Sequence, residues 1–421
     1  MSFNPFNERP EKMDSLYADW QSIYPKAYDK NETDPYTKVR CILMNGTEFE
    51  ANWFGHRFSR QCNDNDVRRV LAEVRRGEQQ QQKRIANLKP INESVLETTI
   101  GYEQLAVDLT AILAQREKNP YVKHALDFAL LEDFDHLYRY ADLLDMEQGI
   151  KAEKLVGSYT EIMPGRPTIA EHRHPVDEIR RHTDFKTADP ITKLNVNIIT
   201  AAEQQTMNYY MNQTGFYTSD LGRQLYAEIG MIEEQHVSQY ESLIDTNETM
   251  FECWLNHEYV ECYLYYSCFK DETDPYIKKV WEKHLIIEIA HLHTAAEMLK
   301  KYDKKEWQQV IPCGEFPELL AFKPQKEYIR NVLKNTVKET ALLEDYTTIN
   351  ALSDKSRYFA YNNSVNTDID SVASHIVIDR YIDNNGKDYR AEDKPNPCVE
   401  LQNREVDNVC LARCKDGVKV K

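Results

Sequence analysis

AAEQQTMNYYMNQTGFYTSDLGRQLYAEIGMIEEQHVSQYESLID, residues 201–245, consists of an amphipathic run, a break near Gly215–Asp220 and a second amphipathic run. This pattern predicts a helical hairpin. Glu203 lies in the first arm, and Glu233 and His236 lie three residues apart in the second. On a helix that spacing places the carboxylate and the imidazole side by side. Such a hairpin has the side chains for half of a carboxylate-bridged di-metal site.

Two further helical hairpins carry the same pattern. The first hairpin covers residues 94–145, the second is the one quoted above, and the third covers residues 248–303. In each, an acidic residue lies three residues before a histidine and 30 residues after a glutamate. The three sets are Glu103, Asp133 and His136; Glu203, Glu233 and His236; and Glu258, Glu288 and His291. Thirty residues, about 15 out and 15 back at ~1.5 Å each, return the chain to the same height. We therefore interpret the hairpins as internal repeats whose ligands face one another.

The turns keep the same register. Asn119, Ser219 and Asp274, all favourable N-cap residues, lie 16 residues after the three glutamates. A fainter copy occurs near the start, where Asn31–Lys38 resembles Asp271–Lys278. In that register Glu48 would be the acid of the pair, while Ala18 and Ala51 stand where glutamate and histidine belong. We expect this N-terminal copy to have lost its ligand set.

The pattern as a whole predicts an all-α protein in three parts. These are an N-terminal helical segment (1–92), a core of three hairpins (93–302) and a C-terminal helix with an irregular arm (303–421). Residues 65–88 predict an exposed helix on which the Gln79–Gln82 run faces solvent.

Residues 147–192 contain several prolines and predict an irregular crossover. A fourth acid-x-x-histidine pair lies there, Glu171 and His174, but Ala141 precedes it by 30 residues. We interpret this pair as surface polar sequence. After the crossover and the second and third hairpins, residues 325–346 predict one more helix, and Ser374–Ile378 is a candidate strand.

The composition and net charge of the chain argue against some classes of binding partner. The net charge of −17 argues against binding to nucleic acids or anionic membranes. No window approaches 18 consecutive apolar residues and the N-terminus lacks a signal-peptide pattern, so we expect a cytoplasmic protein. Nine scattered cysteines favour reduced thiols over a disulfide framework. Cys398, Cys410 and Cys414 keep a metal or redox role open.

The ligand sets resemble those of the ferritin-like di-iron or di-manganese carboxylate superfamily, which includes rubrerythrin and bacterioferritin. In that pattern two helices each give a glutamate and two others each give Glu-x-x-His. The resemblance covers residues 94–302. It implies a ferritin-like helical bundle with iron or manganese as cofactor, and an oxidoreductase that activates O2 or peroxide with an unidentified electron donor. Asp133 departs from the usual glutamate, and neighbouring Glu132 competes for its role.

Several alternatives stay open at this level. The long crossover favours a site built by the first and second hairpins, whereas the two complete Glu-x-x-His pairs favour the second and third. The same fold could serve metal storage, or it could form a structural, coat-type protein with vestigial ligands. The histidines and acids could also be surface ion pairs. The oligomeric state, including a homo-oligomer, is open as well.

Overall fold

A computed structural model describes residues 3–414 of this chain, and the protein is mostly helical. That range contains fourteen α-helices: α1 (Met13–Leu16), α2 (Pro35–Gln61), α3 (Asn65–Ala86), α4 (Val95–Arg116), α5 (Pro120–Gln148), α6 (Ala152–Leu155), α7 (Thr168–Glu171), α8 (Pro190–Phe216), α9 (Asp220–Glu241), α10 (Met250–Asp271), α11 (Pro275–Tyr302), α12 (Lys326–Thr336), α13 (Arg357–Val365) and α14 (Ala373–Asn385). It also contains one antiparallel hairpin, β1 (Glu339–Leu342) with β2 (Asp345–Thr348). The prediction of an all-α protein is confirmed apart from this hairpin.

Eight long helices form four helical hairpins, one more than the three complete copies predicted. The additional one, the N-terminal hairpin, is α2–α3; the first, second and third hairpins are α4–α5, α8–α9 and α10–α11. The second helix of every hairpin starts at a side-chain N-cap: Asp64, Asn119, Ser219 and Asp274 each accept a hydrogen bond from the backbone of the next turn. These caps satisfy backbone N–H groups that have no partner inside the helix and so fix where each helix begins.

The hairpins are divided between two compact units. The first unit comprises Met1–Glu93, Thr183–Gln205 and Ile244–Phe322, and the second comprises Ser94–His182, Thr206–Leu243 and Lys323–Lys421. In the first unit the N-terminal hairpin packs on the third, with α2 against α10 and α3 against α11. In the second unit the first hairpin meets the second, with α5 against α9.

These units differ from the predicted ranges 1–92, 93–302 and 303–421, whose outermost residues lie outside the described part of the chain. The leading segment of the first unit ends at Glu93, one residue beyond the predicted boundary, and the hairpins do not pair in sequence order. Helix α8 belongs to the first unit up to Gln205 and to the second from Thr206 onward. Each compact unit is discontinuous in the sequence because the apolar faces that pack together come from distant segments.

The C-terminal part is integral to the second unit rather than an irregular arm. Ile329 and Leu333 of α12 and Leu401 share a buried apolar cluster with Leu130 and Phe134 of α5. The helix predicted over residues 325–346 ends at Thr336, and the chain reverses through the β-hairpin, where Leu343 takes a positive φ of 54°. The candidate strand 374–378 is part of the helix α14.

Among the described residues, no helix is long and apolar enough to cross a membrane. Among these residues, no disulfide joins any of the nine cysteines.

Candidate metal centres

A buried group in the second unit, here called the histidine-pair cluster, consists of Glu103 on α4, Asp133 and His136 on α5, and Glu233 and His236 on α9. All five side chains are fully buried. His136 Nδ1 lies 3.0 Å from Glu233 Oε1, and His236 Nδ1 lies 3.2 Å from Asp133 Oδ1 and 3.4 Å from Glu233 Oε2. Ligand atoms of Glu103, His136 and Glu233 lie within 4.8 Å of one another. The first and second hairpins therefore bring their predicted ligands together, which is the pairing favoured by the long crossover.

Each histidine of this cluster has an outer glutamate on its other ring nitrogen. Nε2 of His136 lies 2.9 Å from Oε2 of Glu171, and Nε2 of His236 lies 2.8 Å from Oε2 of Glu132. Both imidazoles thus turn Nδ1 toward the cluster and Nε2 toward an outer carboxylate. A carboxylate behind a metal-binding imidazole fixes its tautomer and orientation and raises its basicity.

The same geometry separates the roles of Glu132 and Asp133. Glu132 Oε1 accepts hydrogen bonds from Arg173 and, at 2.8 Å, from Arg166. Although burial opposes ionisation, Arg173 together with Arg166 and His236 lowers the pKa of Glu132 below its usual value. Asp133 Oδ2, by contrast, is buried with no hydrogen-bond partner. Asp133 therefore has an oxygen that could bind a metal, whereas the oxygens of Glu132 already accept hydrogen bonds from Arg166, Arg173 and His236.

The crossover supplies this outer layer, so the surface interpretation of Glu171 was wrong. Glu171 is the last residue of α7 and is fully buried, whereas His174 is only half-buried. Gly165 permits the close approach, because a Cβ there would lie 2.3 Å from the backbone oxygen of Leu131 on α5. Sequence spacing did not find Glu171, because its partner His136 lies on another element at no fixed offset.

Burial and neighbouring charges perturb the acids of the histidine-pair cluster in opposite directions. Burial raises the pKa of Glu103 well above its usual value and also raises that of Asp133. Hydrogen bonds from His136 and His236 outweigh burial at Glu233 and lower its pKa to about 2. Burial opposes the charged form of His136, yet Glu171 and Glu233 raise its pKa well above its usual value. Charges of both signs are thus held in a dry interior, where each depends strongly on its neighbours.

Glu203, the remaining predicted ligand of the second hairpin, is buried on α8. Seven residues along the same helix, and hence on nearly the same face, Tyr210 donates a hydrogen bond of 2.5 Å to Glu103. Glu203 belongs to the part of α8 in the first unit. Its role as a ligand stays a prediction.

A second buried group lies within the first unit. This carboxylate cluster has six members, all at most 1% exposed: Glu48 on α2, Glu78 on α3, Glu258 and Glu261 on α10, and Glu288 and His291 on α11. His291 Nδ1 lies 2.8 Å from Glu78 Oε1, 3.1 Å from Glu288 Oε2 and 3.8 Å from Glu258 Oε2. The predicted ligands of the third hairpin therefore lie with the N-terminal hairpin rather than with the second.

The N-terminal hairpin keeps buried glutamates at the repeat spacing, so the register predicted for it was wrong. Glu48 is the first glutamate of the hairpin, and Glu78 follows it by 30 residues. Gln81 takes the position of the histidine and is buried, contrary to the predicted solvent-facing glutamine run. The resemblance of Asn31–Lys38 to the turn of the third hairpin reflects a shared N-cap-Pro start, but Asp34 caps the first helix of its hairpin rather than the second.

The sequence contains signals that identify the missed residues once the turn is placed correctly. Asp64 lies 16 residues after Glu48, as the other N-caps do after their glutamates. A tyrosine seven residues after the first glutamate is shared by the second and third hairpins. Tyr265 donates a hydrogen bond to Glu48 within the first unit, as Tyr210 donates one to Glu103 within the second. No spacing rule points to Glu261.

The C-terminal cysteines do not join either cluster. Among the described residues, the groups with metal-ligand spacing contain only glutamate, aspartate and histidine. Cys398 Sγ and Cys410 Sγ contact Glu400 and Asn408, and Cys414 lies in an apolar cluster. Comparison of this chain with protein-family models, curated proteins and solved structures finds no match.

Proposed function

We propose that this chain is a di-iron or di-manganese carboxylate protein of the ferritin-like kind, and that its histidine-pair cluster activates O2 or peroxide. The observation that carries the proposal is the arrangement of His136 and His236. Both turn Nδ1 into one buried group of carboxylates while an outer glutamate holds Nε2. A pair of surface histidines needs no such second layer.

Carboxylate oxygens of the histidine-pair cluster are suitable ligands for a metal ion. One oxygen each of Glu103 and Asp133 is buried with no hydrogen-bond partner. Burial of a carboxylate oxygen without a partner is costly unless the group takes a proton or a cation. Glu103, Asp133 and Glu233 with the two histidines give three carboxylates and two imidazoles, five of the six ligands that the resemblance implies. Oxygen-rich ligands with one imidazole per ion suit iron or manganese better than copper or a thiolate-bound metal.

The protein residues would define the chemistry of the centre. Iron or manganese bound there would supply the electrons that O2 or peroxide takes up. With a metal bound, Glu171 and Glu132 would accept the Nε2–H of the two imidazoles, so that each Nδ1 could give up its proton and coordinate. Tyr210 donates to Glu103 and so orients that carboxylate, while the apolar core around α4 and α5 excludes water. An electron donor is required to return the metals to the reduced state.

A matched pair of variants tests this function. E233Q removes a charge from the cluster, whereas E234Q changes the next residue, which is exposed. After removal of metals and anaerobic addition of Fe2+, we expect wild type and E234Q to bind about two more iron ions per chain than E233Q. Wild type and E234Q should then consume O2 rapidly, and E233Q should not.

The result that contradicts the proposal is equal iron binding by E233Q and E234Q. Many irons per chain in wild type would indicate storage instead of catalysis. Binding of about two irons without O2 or peroxide consumption would leave a metal-binding protein and would remove the oxidoreductase.

A further inference from the structure

We propose that the carboxylate cluster of the first unit is a second metal centre, one that prefers hard divalent cations such as Mn2+. It shares no residue with the histidine-pair cluster. Ligand atoms of Glu78, Glu258, Glu288 and His291 lie within 4.8 Å of one another, and those of Glu48, Glu78 and Glu261 do as well. Glu78 belongs to both groups, which is the arrangement expected of a carboxylate that bridges two ions.

The acids of this cluster have unused coordination capacity. One oxygen each of Glu48, Glu78, Glu258 and Glu261 is buried with no hydrogen-bond partner. All of these side chains are at most 1% exposed, so bulk solvent does not reach them. Like charges cannot share such a dry interior unless protons or cations neutralise them.

Acidic groups outnumber basic groups in this interior. His257 lies beside the cluster, with Nδ1 2.9 Å from Glu50 and Nε2 3.4 Å from Glu261. The cluster itself holds five buried carboxylates and one imidazole. Bound divalent cations would offset this excess of carboxylates.

The internal repeat also supports a second centre. The first unit repeats the spacing of the second: a glutamate, an N-cap 16 residues later, an acid after 30 and a histidine or glutamine after 33. Each unit also pairs two hairpins, and each has a tyrosine that donates to the first glutamate of the opposite hairpin. Two independent regions of one chain thus hold the same layout.

The ligand types set the preference for hard ions. Gln81 stands in the place of the second imidazole, where its amide donates to Glu48 at 3.0 Å and to Glu288. Glu261 adds a carboxylate that the histidine-pair cluster lacks, three residues after Glu258. A site with fewer imidazoles and more carboxylates binds Mn2+ or Mg2+ in preference to the metals that imidazole favours. Gly77 leaves room for the one remaining imidazole, because a Cβ there would lie 2.8 Å from His291 Nε2.

The test is a count of bound Mn2+ by electron paramagnetic resonance on the full chain after metal removal. The double variant E258Q/E288Q neutralises two ligands, and E282Q is the matched control because Glu282 is exposed on the same helix as Glu288. We expect E258Q/E288Q to bind about two fewer Mn2+ than wild type and E282Q. Equal binding by all three proteins would overturn the proposal.

Two more variants keep the result interpretable. E233Q removes ions only from the histidine-pair cluster, so failure of the proposed function would show as no loss in E233Q beside a loss in E258Q/E288Q. Q81H supplies the missing imidazole without removing a carboxylate, and should shift the preference from Mn2+ toward Co2+. If E258Q/E288Q does not fold, an unchanged preference in folded Q81H overturns the proposal.

Discussion

Glu171 provides the sharpest test of how the crossover supports the histidine-pair cluster. It is fully buried, and its Oε2 lies 2.9 Å from Nε2 of His136. In E171A the Nε2–H of His136 would lose its acceptor and the tautomer would no longer be fixed. Loss of such an outer partner costs roughly 10–100-fold in metal affinity. That range corresponds to about 1.4–2.7 kcal/mol of binding free energy. E171Q keeps an acceptor oxygen and should lose less.

The measurement is an anaerobic titration with Fe2+ that compares dissociation constants for wild type, E171Q and E171A. E161A is the control, because Glu161 is also a buried crossover glutamate but pairs with Arg330 at 2.6 Å instead of with a ligand. E161A should lower the melting temperature and leave iron affinity unchanged. If folded E171A binds iron within twofold of wild type, the outer glutamate does not support a metal-bound imidazole and the reasoning fails.

Three other predictions concern close packing and pH. G165A should destabilise the protein by about 1–3 kcal/mol in chemical unfolding, because the new Cβ would overlap the backbone oxygen of Leu131; wild-type stability would contradict the contact. G77A should displace the ring of His291 and weaken Mn2+ binding at the carboxylate cluster alone, and simultaneous loss of iron at the other cluster would count against this. Burial opposes the charge of His375, but its two aspartate partners raise its pKa to about 10. The charged imidazole therefore contributes its full stabilisation below about pH 6.5, and this contribution is lost as the pH rises through 10. H375Q should therefore lower stability by about 2 kcal/mol at pH 6 and much less above pH 10, as measured by unfolding across that range.

Helix type, hairpin turns and most residues of the two buried clusters could be predicted from the sequence because they depend on local rules. A side-chain N-cap and a 3.6-residue period act within one or two turns, and a 30-residue offset follows from the rise of a helix. These rules place Glu103, Asp133 and His136 in one hairpin and Glu233 and His236 in another. Apart from Glu203, whose role stays a prediction, the structure brings every candidate ligand into a buried acidic cluster.

Pairing between hairpins and the outer layer could not be predicted in this way. The match between the N-terminal and third hairpins depends on the shape of two apolar faces about 200 residues apart, for which no spacing rule exists. Glu171 and Arg166 reach the histidine-pair cluster from an irregular segment whose path depends on close approaches such as that of Gly165. The burial of Gln81 was not predicted because it lies in a run of four glutamines, a pattern typical of a solvent-exposed helix face.

The order of hairpins along the chain has a consequence for biosynthesis. The N-terminal hairpin ends at Ala86, but its partner helices begin at Met250 and end at Tyr302. At about 5–20 residues per second, translation separates the two by roughly 10–40 s. During that interval the hairpin face that carries Glu48 and Glu78 has no third hairpin to pack against, while part of the second unit is also being synthesised. The nascent first unit is thus exposed to misassociation or chaperone capture until the third hairpin leaves the ribosome.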